Sequence, residues 1–146
     1  MIYFDATFLV KLVIDEPGSG SLLEFVRERD DVIASSITSR IEVISALHRK
    51  HRERAITHGG MLKAHRQFFR EIETGRISCI VFSRSIVERV EDAFQKLPPT
   101  IFLRAGDAIH LATASEAGFK EIYSNDRHLL AAATLFKLKG INPLAR

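Results

Sequence analysis

A chain of 146 residues, 46% hydrophobic and 27% charged, has the size and balance of one globular domain, and it fits no collagen-like or disordered class. No apolar run approaches the roughly 20 residues that a bilayer span needs, and the opening MIYFDATFLVKL, interrupted by Asp5 and Lys11, lacks the frame of a signal peptide. The single cysteine, Cys79, excludes an intrachain disulfide and fits a cytoplasmic location, and the net charge of +3 is modest.

Ile2–Phe4 reads as a short buried strand, and Phe8, Leu9, Leu12 and Val13 follow at helical spacing until Pro17-Gly18. Leu22, Leu23 and Val26 suggest a second helix, and Val32–Ala34 a second strand. Ile37, Ile41, Ile44 and Leu47 form an apolar stripe taken as core, on a helix that Thr38 or Ser39 caps and that runs to about Ala55. Gly59-Gly60 breaks the chain before a helix over Met61–Glu73, which Gly75 closes. Cys79–Phe82 is a third strand, Ile86–Leu97 a helix ended by Pro98-Pro99, and Ala105–Ala117 an alanine-rich helix stopped by Gly118. Ile122–Tyr123, Asp126–Ala133 and Leu135–Leu138 complete the chain as a very short strand, a short helix and an edge strand. No repeat, linker or low-complexity tract divides it, so residues 1–146 are read as a single domain.

Short apolar strands alternating with helices indicate an α/β fold, with a parallel sheet covered on both faces. Ligands of such sheets bind beyond the carboxyl ends of the strands. Asp5 directly follows the first strand, and Asp126 lies just past the strand ending at Tyr123. Glu42 and Asp107 lie near the starts of two helices, flanked by Ile41 and Val43 and by Ala108 and Ile109. Singly, each acid has an ordinary structural role. Asp5 and Asp126 would cap helices, at about 1 kcal/mol apiece. Glu42 would pair with Arg40 or Arg49, and Asp107 with Arg104. Together, four acids at one sheet edge repel one another unless a cation joins them. A hard divalent ion such as Mg²⁺ prefers carboxylate oxygens and retains waters, the chemistry that phosphodiester hydrolysis needs.

Basic charge is concentrated elsewhere. His48–Arg70 holds Arg49, Lys50, Arg52, Arg54, Lys63, Arg66 and Arg70 against the single acid Glu53, and includes four of the six histidines. Such a stretch is either a solvated helix face or a guide for a polyanion. A dinucleotide fold would need a glycine fingerprint where Asp5-Ala6-Thr7 stands, and no P-loop pattern occurs. His48 and His51 have no zinc-finger partners. His110, one turn beyond Asp107, is read as a helix residue bonded to a backbone or carboxylate group, and Phe68 and Phe69 as core or dimer contacts.

Four segments resemble the motifs of PIN-domain ribonucleases: Ile2-Tyr3-Phe4-Asp5-Ala6-Thr7-Phe8, Ser39-Arg40-Ile41-Glu42-Val43, Leu103-Arg104-Ala105-Gly106-Asp107-Ala108-Ile109-His110, and Tyr123-Ser124-Asn125-Asp126-Arg127. They occur in family order across nearly the whole chain. The length and Asp15-Glu16-Pro17 look most like the VapC-type toxins of toxin–antitoxin pairs.

The resemblance implies a three-layer α/β/α fold and an endoribonuclease dependent on Mg²⁺ or Mn²⁺. It also implies a homodimer and a cognate antitoxin protein that inhibits the RNA-cutting site. Asp5, Glu42, Asp107 and Asp126 fall on the acidic positions, Thr7 on the hydroxyl position beside the first acid, and Asn125 on the polar position before the fourth. Gly106 departs from the pattern, standing where a bulkier apolar residue is common. In this reading Asp5, Glu42 and Asp107 hold the principal ion, Asp126 completes its shell or binds a second, and Thr7 orients Asp5 or the scissile phosphate. Arg49, Arg52, Arg54 and Arg127 guide the RNA backbone. A housekeeping RNA-processing nuclease and a non-catalytic partner-binding module are the alternatives.

Overall fold

The computed structural model describes residues 1–145. Three parallel strands, β1 (Ile2–Tyr3), β2 (Ile33–Ser36) and β3 (Ile77–Ile80), pair in that order, with Ile2 opposite Ile33 and Ile33 opposite Ile77. A second parallel pair is formed by β4 (Glu121–Tyr123) and β5 (Lys139–Ile141). A parallel bridge between Phe4 and Tyr123 joins the two, so β1 lies between β2 on one side and β4 on the other. The chain therefore winds outward from β1 in one direction and returns to its other flank, which opens a crevice at the carboxyl ends of β1 and β4.

Strand side chains alternate between the faces and divide the core in two. Ile2, Phe4, Ile33 and Ile77 pack with Phe8, Leu9, Leu22, Val43, Leu47, Met61 and Phe68. These come from α1 (Ala6–Val13), α2 (Ser19–Arg29), α3 (Ser39–Arg52) and α4 (His58–Glu73). Tyr3, Ala34 and Ile122 face the opposite way, against Ile86, Leu111 and Leu129 of α5 (Arg84–Lys96), α6 (Ala105–Glu116) and α7 (Arg127–Ala132). The result is a three-layer α/β/α arrangement. Among the described residues, no helix is long and apolar enough to cross a membrane.

Three local expectations are corrected. Of the expected stripe Ile37, Ile41, Ile44 and Leu47, Leu47 is buried and Ile44 packs half-buried against the core, but Ile41 is 75% exposed, and the buried residues of α3 are Ser39, Val43 and Leu47. Ser39 joins Val43 and Leu47 on this face: its hydroxyl lies 2.6 Å from that of buried Ser35, which itself donates to the Phe4 carbonyl. Gly59 and Gly60 do not break the chain but form the first turn of α4, where the Thr57 hydroxyl accepts a hydrogen bond from the Gly60 amide. Leu135–Leu138 is no strand: Ala133–Phe136 forms a 3₁₀ turn that buries Phe136, and the edge strand comes later, at Lys139–Ile141.

Candidate metal centre

Asp5 leaves the end of β1 and caps α1, with its Oδ1 accepting from the Phe8 amide at 3.2 Å. It is 2% exposed. The Thr7 hydroxyl lies 2.8 and 2.9 Å from its two oxygens and 3.1 Å from the Asn125 side chain. Ser124, fully buried at the end of β4, donates to Asp5 Oδ2 at 2.7 Å and accepts from the Asp126 amide at 2.9 Å. One serine thus ties the acid after β1 to the turn carrying the acid after β4. Sequence reasoning missed Ser124, although it sits inside the Ser124-Asn125-Asp126 motif; the hydroxyl's direction is visible only in three dimensions.

Glu42 lies in the first turn of α3, where Thr38 donates to its Oε1 at 2.9 Å. The same oxygen lies 3.0 Å from His110 Nε2, whose other ring nitrogen is 3.1 Å from the Tyr3 hydroxyl. His110 is 1% exposed, and of the two partners expected for it, a backbone or a carboxylate group, it has the carboxylate. Asp107, in the first turn of α6, receives Arg104 Nε on its Oδ2 at 3.1 Å. Arg104 also reaches Asp126 Oδ2 through Nη2 at 2.7 Å, while Asp126 Oδ1 caps α7 through the amides of His128 and Leu129. Arg104 was expected only as a partner of Asp107; its bridge to Asp126 was missed.

The electrostatics are those of a site rich in negative charge. Burial lifts the Asp5 carboxyl above its ordinary range, against the pull of His110 and of its own hydrogen bonds. Burial also raises Asp107, opposed by Arg104 and reinforced by Asp126. Burial acts on Glu42 in the same direction, but the hydrogen bond and charge of His110, with Thr38, outweigh it and hold that carboxyl low. Burial would lower His110, yet Glu42, Asp5 and Asp107 together raise it.

These elements enclose a groove of about 560 Å³. Asp5, Thr7, Glu42, Asp107 and Asn125 line it, with Arg49, Lys50 and Arg104 as cations on its walls. Lys50 is neutralised by Glu16 at 2.6 Å, as is Lys11 at 3.0 Å. Arg49 is in no ion pair among the described residues. Arg52, Arg54 and Arg127 are exposed and lie outside the lining. Asp126 also lies outside it, joined to it through Arg104.

The donor set suits a hard cation. It consists of carboxylates, and among the described residues Glu42 Oε2 and Asp107 Oδ1 accept no hydrogen bond. No three acid, histidine or cysteine side chains among the described residues are gathered tightly enough to hold an ion. Each acid is turned toward a protein partner: Ser124 and Thr7 for Asp5, His110 and Thr38 for Glu42, and one shared arginine, Arg104, for Asp107 and Asp126.

A family model for the PIN domain matches residues 2–135. The chain is 35% identical over 123 residues to Ribonuclease VapC46 of Mycobacterium tuberculosis, a match covering 80% of this chain and 76% of the relative. Among solved structures, Mycobacterium tuberculosis VapC20, a sarcin-ricin loop cleaving toxin, superposes with a TM-score of 0.70 at 16% identity, covering 90% of this chain and 95% of that one. A toxin–antitoxin complex from Klebsiella pneumoniae contains a chain that superposes at 0.65 and 21% identity, with 98% of each covered. VapBC2 from Rickettsia felis, bound to a DNA fragment from its promoter, gives 0.65 at 15% identity, covering 97% and 98%. At these identities the structural matches speak to fold. With the family model spanning most of the sequence and the acids meeting at the crevice beside β1 and β4, the chain belongs to the PIN-domain family.

Proposed function

We propose that this protein is a metal-dependent endoribonuclease, the toxin of a toxin–antitoxin pair. The observation carrying the reading is the convergence of Asp5, Glu42 and Asp107, from three separate stretches of chain, on one groove walled by Arg49 and Arg104. Similarity to Ribonuclease VapC46 supports RNA as the substrate.

Asp5, Glu42 through Oε2 and Asp107 through Oδ1 would hold Mg²⁺ or Mn²⁺, with Asp126 as the fourth acid. When bound, such an ion supplies Lewis acidity and an activated water for attack on phosphorus. The protein's own contribution is orientation. Thr7 and Ser124 fix the Asp5 carboxylate, and His110 and Thr38 hold Glu42 Oε1, which leaves Oε2 without a hydrogen bond among the described residues. Asn125 and Arg49, which line the groove, would hold the RNA backbone, a contact that positions a strand without reading its sequence.

The structural relatives solved as toxin–antitoxin complexes support an antitoxin partner. An apolar groove lined by Ile41, Ile44 and Met61, which shares Ser45 with the acidic groove, supports it too. A homodimer is part of the same reading.

The test is RNA cleavage by the purified protein. Activity should require Mg²⁺ or Mn²⁺, disappear on chelation and be abolished by Asp5→Asn, with circular dichroism unchanged. Growth arrest on expression, relieved by co-expressing a small gene beside its own, identifies the toxin. Cleavage by Asp5→Asn at the wild-type rate would overturn the site assignment.

A further inference from the structure

Arg104 occupies the place where positive charge is most needed. Its guanidinium spans Asp107 Oδ2 at 3.1 Å and Asp126 Oδ2 at 2.7 Å, from a side chain that is 58% exposed at the groove. Asp126 Oδ1 is committed to the first turn of α7, so Oδ2 is the oxygen Asp126 can offer a cation. Arg104 holds that oxygen. An ion drawn to Asp107 Oδ1 and Asp126 Oδ2 together would meet the guanidinium on Asp126 Oδ2 itself and beside it on the Asp107 carboxylate, and two cations there repel. The arm is free to leave: it is the residue before α6, its side chain makes no capping hydrogen bond to that helix, and its partners are these two acids. Once released, a planar fork of N–H donors at the rim of a groove matches a phosphodiester in shape and charge. Lys11 and Lys50, also on the lining, are already spent on Glu16.

We propose that Arg104 is an exchangeable arm, the counter-ion of Asp107 and Asp126 in the metal-free protein and, once a divalent ion displaces it, the side chain that grips a phosphate of the RNA in the groove. This rests on the metal-dependent nuclease reading.

The experiment measures Mn²⁺ binding to metal-free wild type, Arg104→Gln and Arg104→Lys by calorimetry, and then RNA cleavage at saturating Mn²⁺. Losing a competitor held by two ion pairs whose arginine end is exposed should tighten Mn²⁺ binding by about three- to tenfold in Arg104→Gln. The same variant should show a raised KM for RNA with a smaller change in kcat. Arg104→Lys, which keeps the charge without the fork, should fall between the two in metal affinity. It should retain the KM defect. Equal or weaker Mn²⁺ binding by Arg104→Gln overturns the exchange, and an unchanged KM overturns the phosphate grip. In either case the metal site itself stands, because wild type still binds. Failure of every protein to bind Mn²⁺ overturns this inference and the nuclease reading together.

Discussion

Asp5 is almost wholly buried, and a carboxylate in that position persists only if donors surround it. Three groups provide them: the Phe8 amide, the Thr7 hydroxyl and the Ser124 hydroxyl. Phe8 belongs to the helix cap and Thr7 lies two residues away, so both are local. Ser124 arrives from the far side of the sequence, and it also fixes the turn leading into Asp126. Ser124→Ala should therefore act on two acids at once. A lost hydrogen bond to a charged, buried group costs about 1.5–3 kcal/mol, which urea unfolding would register. Single-turnover RNA cleavage should slow as well, because Asp5 keeps its position but loses one of its restraints. Unfolding and cleavage both matching wild type would remove Ser124 from the site. His110 follows the opposite pattern from Ser124: the sequence reads it as a helix residue bonded to a backbone or carboxylate group, and its partner is the Glu42 carboxylate.

At the scale of elements, Lys11 of α1, Glu16 of the following loop and Lys50 of α3 form a small network at one end of the groove. Lys11 is 8% exposed and also donates to the Pro17 carbonyl at 2.8 Å. Burial alone would raise Glu16, but hydrogen bonds and charge from Lys50 and Lys11 outweigh it and hold the carboxyl below its ordinary range. The sign follows. A depressed carboxyl contributes stability that is present above the unfolded value of about 4.3 and is lost as pH falls through the lower folded value. Glu16→Gln should thus lower stability at pH 7 and flatten the acid limb of a pH–stability curve; an acid limb as steep as wild type's would show the network to be inert. The Asp15-Glu16-Pro17 segment was legible only as a motif, since nothing in its spacing indicates that two lysines converge on Glu16. The strands and helices were legible from apolar periodicity and from punctuation by Gly18, Gly75 and Gly118, each of which adopts positive φ. What misled was position within an element. The isoleucines of α3 suggested a core stripe, but Val43 and Leu47 take the buried face together with Ser39, which bonds Ser35, and Ile41 is left in solvent. The Leu135–Leu138 run looked extended because its apolar residues are local, while the pairing that defines β5 is a contact with β4.

Over the whole molecule, charge is arranged so that acids meet at the sheet's carboxyl edge and basic residues extend from it along α3 and α4. The sequence treats His48–Arg70 as one basic block, but geometry divides it. At 1.5 Å per residue, Arg49 lies about 10 Å along α3 from Glu42, and Arg52 about 15 Å. The screening length at 0.1 M salt is about 10 Å, so Arg49 acts on a strand at the acids while Arg52 is largely screened from it. Arg54 lies beyond the helix end, next to Glu53, in a left-handed backbone conformation with φ of 62°. Arg49 also lines the groove, whereas Arg52 and Arg54 do not. A single-stranded RNA loses about 0.7 in the slope of log affinity against log salt for each phosphate contact removed. Arg49→Ala should therefore flatten the slope by about that amount. The double variant Arg52→Ala, Arg54→Ala should flatten it less than Arg49→Ala does alone. Binding to an RNA oligonucleotide, measured by fluorescence anisotropy between 50 and 200 mM salt in the Asp5→Asn background to prevent cleavage, separates the two. A larger effect from the double variant would mean that the strand runs out along α3 rather than through the groove.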